Sequence, residues 1–270
     1  MPPHWKEALP QLSEAVRRPN FGIITDVDGT LSPIVPNPDD ARISPRSREL
    51  LAALQAVLPL VAVVSGRAAA DVHGRVDVPG LAVVGNHGLE EWVDGEVRVV
   101  PEIQTFRPAL VAAIAVLEPL LEPGMRLEDK GATLSVHYRQ VEKPDETAER
   151  FQPVALAAAE ENGQRLFHGR RVFELRPPID VDKGSALRRL IAANALDSAL
   201  FMGDDTTDVD ALIAARELRE DGVCYALGVG VESDGTPELV LEAADMLVSG
   251  VSGVEGLLGW VLNARRASST

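Results

Sequence analysis

The chain has 270 residues, 46% of them hydrophobic, enough for one large domain or two modest ones with a buried core. Its 41 acidic and 26 basic residues give a formal charge of -15 at pH 7, which argues against an electrostatic grip on nucleic acid or an anionic membrane; a small anionic substrate needs a local basic site or a metal. Cys224 is the only cysteine, which excludes an intrachain disulfide and a thiolate metal cluster and implies a reducing compartment.

In chain order, residues 1–7 show neither a basic start nor an apolar signal-like run, and no apolar stretch reaches membrane-spanning length. The expected location is cytoplasmic, with no membrane partner. Residues 21–27 read as a strand, 44–57 as a helix capped by Ser44-Pro45, and 60–65 and 81–85 as further strands. Strands alternating with helices predict a parallel sheet with helices on its faces. Asp94-Gly95, between alternating apolar residues, predicts a hairpin over 91–99. The pattern then changes to helix (105–121), two strands (125–128, 133–138), helix (145–162) and two strands (165–168, 171–175). That order predicts a small antiparallel sheet with helices on one face, inserted as residues 103–178 between core segments 1–102 and 179–270, with Pro101 and Pro177-Pro178 as hinge markers. The first pattern resumes with a helix at 183–195, a strand at 199–202, a helix at 208–219, strands near 223–227 and 245–248, and a closing helix at 253–265.

Four predicted strand or helix ends carry the groups one phosphoryl-transfer site needs. Asp26 and Asp28 leave the first strand at i and i+2, so both lean toward one point, and Gly29 turns the chain where its backbone can approach a phosphate. One carboxylate can attack phosphorus while the other protonates the leaving oxygen and later deprotonates water. An Asp-rich turn reads the same way in isolation. Ser65-Gly66-Arg67 follows the second strand and could hold phosphoryl oxygens through its hydroxyl and amides, or be a satisfied turn; Lys183 opens a helix, where an ammonium can neutralise nucleophile and phosphoryl group, or be a solvated surface charge. Asp204, Asp205 and Asp208 crowd three carboxylates into five residues. Such a group repels itself unless a cation compensates it, and Mg²⁺, a hard ion bound by carboxylates, water and phosphate, is the natural one. A helix N-cap accounts for one of the three.

In order, DVDGT, SGR, Lys183 and GDDTTD resemble the four motifs of the haloacid-dehalogenase-like (HAD) phosphatases. The resemblance implies a Rossmann-like α/β core with an α+β insert of the C2 cap type. It implies Asp26 as nucleophile, Asp28 as general acid and base, Ser65 and Lys183 as phosphate holders, and Mg²⁺ held by Asp26, the backbone carbonyl of Asp28 and Asp204. Asp205 and Asp208 would orient waters or Lys183. Three longer strings, GNHGLE at 85–90, EDKGATLSVHYR at 128–139 and GDDTTDVD at 203–210, resemble the trehalose-6-phosphate phosphatase family. That likeness spans about residues 20–260. It places sugar-binding roles on Glu128, Lys130 and Glu174, and puts Gly66, Arg67, Asn86 and His87 near the sugar phosphate. From the residues alone, Glu128 and Lys130 could equally be a solvated ion pair, His87 a turn residue and Arg67 a surface salt bridge. Val27 stands where this family often has an aromatic residue.

The expected function is therefore Mg²⁺-dependent hydrolysis of trehalose 6-phosphate through an aspartyl-phosphate. The alternatives are a phosphatase for sucrose phosphate or a mannosyl- or glucosylglycerate phosphate, a phosphosugar mutase, or a non-catalytic sugar-phosphate sensor. No glucosyltransferase domain precedes the first motif, so a separate synthase is the expected pathway partner, and the enzyme is expected to be a monomer without a nucleic-acid partner.

Overall fold

The computed structural model describes residues 1–169 and 171–268. The elements in chain order begin with α1 (Leu9–Arg17), β1 (Phe21–Thr25), α2 (Pro45–Gln55), β2 (Leu60–Val64), α3 (Ala69–Val76), β3 (Ala82–Gly85), β4 (Glu90–Val93) and β5 (Glu96–Val99). Next are α4 (Ile103–Leu117), β6 (Arg126–Asp129), β7 (Leu134–His137), α5 (Pro144–Glu161), β8 (Arg165–Gly169) and β9 (Val172–Arg176). The chain continues through α6 (Lys183–Ala193), β10 (Ser198–Gly203), α7 (Val209–Glu220), β11 (Tyr225–Glu232), α8 (Glu238–Ala243), β12 (Met246–Ser249) and α9 (Gly250–Ser268).

Two compact units result: Met1–Ile34, Ala41–Val97 and Val181–Thr270 form one, and Val35–Asp40 with Arg98–Asp180 form the other. In the first, an eight-stranded sheet has the order β12-β11-β10-β1-β2-β3-β4-β5. Strands β12 to β3 in that row pair in parallel, and β4 runs antiparallel to β3. The apolar run of β1 is buried at every residue because it lies between β10 and β2 with helices on both faces. One face packs Leu12, Leu50, Leu54, Val254 and Leu258 from α1, α2 and α9; the other packs Leu187, Ile191, Leu212 and Val240 from α6, α7 and α8. Local signals agree with this frame. Ser44 Oγ accepts from Ser47 N at 2.9 Å ahead of α2, and Asp94 and Gly95 both take positive φ (55° and 87°) in the hairpin turn.

In the second unit the order β6-β7-β9-β8 makes an antiparallel sheet. Leu134, Val136, Phe173 and Leu175 share a core with Leu110, Ala113 and Leu117 of α4 and with Phe151, Ala155 and Ala159 of α5. Period-two alternation therefore turns Ser135, His137, Glu174 and Arg176 to the opposite face. Segment Val35–Asp40, distant in sequence, belongs here through Arg126 Nη1 to Asp39 Oδ2 (3.0 Å) and Arg139 Nη1 to Val35 O (2.6 Å).

One expectation is corrected. Ile103–Leu120 spans 18 residues with mean hydropathy 1.3, long and apolar enough on those grounds to cross a membrane. Its apolar residues Leu110, Ala113 and Leu117 pack in the core of the second unit.

Candidate active site

The chain ends β1 and resumes as a tight turn. Asp26 N still donates to Met202 O of β10 (2.8 Å), continuing the ladder, while Gly29 N and Leu31 N close back on Ser32 O and Val27 O. Gly29 has φ +89°, and a Cβ there would lie 2.0 Å from Asp204 Oδ2. Glycine is required on both counts, and its lack of a side chain lets Asp204 reach the turn. Val27, beside it, is buried in the core.

Asp204 and Asp208 follow β10. Asp208 Oδ2 accepts from the amides of Asp204 and Asp205 at 3.1 Å each, and a Cβ on Gly203 would lie 2.3 Å from the Asp208 carboxyl carbon. Lys183, the first residue of α6 behind an Asp182–Ser185 capping box, donates to Asp26 Oδ1 and Asp208 Oδ1, both at 2.7 Å. Asp26, Asp204 and Asp208 are all buried and offer oxygens within 4.8 Å of one another.

The electrostatics follow from that crowding. Burial pushes the Asp26 carboxyl up to about 8, with Asp208 and Asp28 adding to the rise and Lys183 opposing it. Burial followed by the charges of Asp26, Asp208 and Asp205 pushes Asp204 up to about 9. Asp208 is also raised by burial, against the pull of Lys183. Burial works against the Lys183 ammonium, but Asp208 and Asp26 outweigh it and hold the group charged. Closely spaced, buried carboxylate oxygens that would ionise more readily beside a cation suit a hard metal ion.

The Asp28 carboxylate faces elsewhere. Both of its oxygens accept from the Arg67 fork, Oδ2 from Nε at 2.5 Å and Oδ1 from Nη2 at 2.8 Å. Arg67 also reaches Asp71, which holds Arg75. Burial opposes the Arg67 charge, yet hydrogen bonding to Asp28 raises its pKa overall. Arg67 is thus an ion-pair residue whose partner is Asp28 of the first motif.

Ser65, Gly66, Asn86 and His87 form the neighbouring wall at the ends of β2 and β3. Ser65 Oγ accepts from Arg67 N (3.2 Å), Asn86 N donates to Arg67 O (2.7 Å) and His87 N to Ser65 O (2.9 Å). Asn86 and His87 take positive φ (48° and 58°), and a Cβ on Gly66 would lie 2.5 Å from the His87 ring. Sequence reasoning assigned no role to Glu90, although it is 5% exposed and ties this wall together. It accepts from Asn86 Nδ2 at 2.7 Å and from Ala69 N, at the start of α3, at 2.8 Å. An acid four residues after Asn86, at the start of a strand, was the available signal.

On the polar face of the second unit, Glu128 pairs with His137 Nε2 at 2.7 Å, and Arg126 stands 3.7 Å away. The His137 hydrogen bond, with the charges of Lys130, His137 and Arg126, outweighs burial and draws Glu128 down to about 2. Glu174 Oε1 accepts from Lys130 Nζ (3.0 Å) and Ser135 Oγ (3.2 Å), and its Oε2 from Arg176. Sequence reasoning passed over Ser135, His137 and Arg176, though period-two spacing from Leu134, Val136 and Leu175 marks all three for this face.

Comparison with known proteins follows the motifs. Residues 24–232 match the trehalose-phosphatase family model. The chain belongs to the trehalose-phosphatase family. The trehalose-phosphate phosphatase of Mycobacterium leprae (strain TN) is 39% identical over 216 residues, which cover 74% of this chain and 49% of that protein. The enzyme of the same name from Mycobacterium marinum is 37% identical over 220 residues, covering 76% and 56%. The chain thus spans about half the length of the curated relatives it matches. Among solved structures, the C-terminal domain of C. albicans trehalose-6-phosphate phosphatase superposes with TM-score 0.82 at 21% identity over 97% of this chain and 99% of that one. Aspergillus fumigatus trehalose-6-phosphate phosphatase gives 0.63 at 23% identity over 98% and 100%. These likenesses bear on the fold, the HAD-type α/β architecture with its α+β insert.

Proposed function

We propose that this family member is a Mg²⁺-dependent phosphatase that converts trehalose 6-phosphate and water to trehalose and phosphate. The observation that carries the chemistry is the buried group of Asp26, Asp204, Asp208 and Lys183 where β1 and β10 end. The substrate rests on the family and on the names of the relatives.

In this mechanism an Asp26 oxygen attacks phosphorus and the bond from phosphorus to the sugar oxygen breaks. Asp28 gives its proton to that departing oxygen. It then takes a proton from the water that attacks phosphorus, as the bond from phosphorus to Asp26 breaks and free phosphate leaves. Lys183 keeps Asp26 oriented and offsets its charge, and Ser65 with the amides of its turn holds phosphoryl oxygens, beside Gly66, Arg67, Asn86 and His87. Asp26, Asp204 and the backbone carbonyl of Asp28 would hold Mg²⁺, while Asp208 fixes Lys183 and the Asp204 and Asp205 amides. When bound, the ion neutralises charge on the phosphoryl oxygens. Glu128, Lys130 and Glu174, on the polar face of the inserted unit 103–178, supply acceptors and a donor for sugar hydroxyls.

On the same reading a separate synthase supplies the substrate, and the enzyme works as a monomer in the cytoplasm, in keeping with its lone buried thiol, Cys224. The test is release of free phosphate, with Mg²⁺ present, from trehalose 6-phosphate, sucrose phosphate, and mannosyl- and glucosylglycerate phosphates. Preference for trehalose 6-phosphate is expected; a clear preference for one of the others overturns the substrate assignment.

A further inference from the structure

The polar face of the second unit holds a buried arginine that the chemistry above leaves unused. Arg176 lies two residues beyond Glu174 on β9, so the two side chains share a face. Its Nε and Nη2 both donate to Glu174 Oε2, at 2.9 and 2.6 Å. The other carboxylate oxygen is held by Lys130 and Ser135. Arg176 and Glu174 are 7% and 6% exposed, so these are desolvated, charge-assisted contacts.

The guanidinium is itself seated. It lies over the Phe167 ring, 4.4 Å from the centroid, and Phe167 is the register partner of Glu174 across β8 and β9. The row across the sheet therefore runs Glu128, Ser135, Glu174, Phe167. A planar cation stacked on an aromatic ring loses little freedom when it forks onto a carboxylate, which a flexible ammonium cannot reproduce. A carboxylate already immobilised accepts a ligand hydroxyl without a further ordering cost.

We infer that Arg176, seated on Phe167, is a positioning residue: it fixes Glu174 in the orientation that accepts sugar hydroxyls, and so sets affinity for the sugar rather than the rate of phosphoryl transfer. The inference rests on the reading that Glu174 binds the sugar of trehalose 6-phosphate.

The test measures KM and kcat for trehalose 6-phosphate in the full chain and in Arg176→Gln, Arg176→Lys, Glu174→Gln and the Arg176→Gln/Glu174→Gln pair. Arg176→Gln is expected to raise KM by about tenfold or more, the factor for one lost hydrogen bond to a charged group, with kcat changed by less than about twofold. Arg176→Lys should fall between, since it restores charge without fork or stack. The double variant should be no worse than Glu174→Gln, because Arg176 acts through that carboxylate. An unchanged KM, a loss confined to kcat, or additive effects in the double variant each overturn the inference. If Arg176→Gln does not fold, Phe167→Ala substitutes for it: loss of the seat should raise KM about two- to fivefold, a fraction of the full contact, and an unchanged KM overturns the role. An unsubstituted enzyme that cleaves p-nitrophenyl phosphate but not trehalose 6-phosphate overturns the underlying reading instead. Normal turnover of trehalose 6-phosphate with indifferent Arg176 variants overturns the positioning role alone.

Discussion

Removing divalent metal should make the first unit less stable as pH rises from 6 to 8, the reverse of ordinary acid denaturation. Asp26 titrates at about 8 and Asp204 at about 9 in the folded chain, against an ordinary 3.8 for both. Folded protein thus keeps protons that unfolded protein has already released above pH 4. Where the folded state binds more protons, stability falls with pH, by about 1.4 kcal/mol per pH unit for each such proton. The carboxylates share one pocket, so one retained proton is the conservative count, giving a loss of about 3 kcal/mol across the window. For a chain of this size that is roughly a 5–10 °C fall in Tm. Other shifted groups stay out of the way: Glu128, drawn down to about 2, loses its contribution only below pH 4.5, and Cys224, raised to about 11 by burial, acts only above pH 9. Trp5, Trp92 and Trp260 all belong to the first unit, so tryptophan fluorescence reads its melting in isolation. Thermal melts in EDTA and in saturating Mg²⁺ at pH 6, 7 and 8 make the measurement. Mg²⁺ replaces the protons, so its stabilisation should grow with pH and flatten the decline. A metal-free Tm that is level or rises from pH 6 to 8 refutes the reasoning.

Three substitutions probe the site from different sides. Asp26→Asn should abolish phosphate release while thermal melts show a folded chain; residual activity above about one part in a thousand of the original counts against a covalent role for Asp26. Gly29→Ala places a methyl 2.0 Å from Asp204 Oδ2 at a φ of +89°, so Asp204 must move and activity should drop at least about a hundredfold, a 1 Å misplacement being enough for that; near-normal kcat would show that Asp204 is not needed there. Glu90→Ala strips two buried donors, Asn86 Nδ2 and Ala69 N, of their acceptor and should cost about 2–6 kcal/mol in urea denaturation, at 1–3 kcal/mol per orphaned group.

Strands β1 and β10 were legible because an apolar run, buried on both faces, stops at an aspartate in each. The residue types of the buried aspartate group were legible with them. Strand β11 was expected near 223–227 but runs over Tyr225–Glu232, and its glycines hid the remainder. A Cβ on Gly228 would lie 2.9 Å from Leu212, and one on Gly230 2.8 Å from Leu247, so the glycines let packed side chains approach the strand. Helices α1, α3 and α8 were not foreseen. For α3 the reason is physical: no side chain caps its start locally, and the acceptor for Ala69 N is Glu90, 21 residues away. In the same way the spacing of Asp26 and Asp28 announced a pair, but only the fold separates them, one to Lys183 and the other to Arg67.

That separation bears on how the site changes state. In the proposed mechanism Asp26 acts as an unprotonated nucleophile, while burial, with the charges of Asp208 and Asp28 added, raises its pKa. In that same proposal Asp28 surrenders a proton and regains one, yet both its oxygens accept from Arg67, which is also drawn to Asp71. A phosphoryl group arriving beside Ser65 and Gly66 competes for the same guanidinium, because phosphate oxygens match its fork as well as a carboxylate does. Transfer of even one Arg67 hydrogen bond from Asp28 to substrate frees a carboxylate oxygen to carry the proton. Arg67→Lys therefore separates two effects: a point charge still attracts phosphate but releases Asp28 in the resting enzyme. Its kcat for trehalose 6-phosphate should fall while KM changes less, and an unaltered kcat would show that the Arg67 fork does not control Asp28.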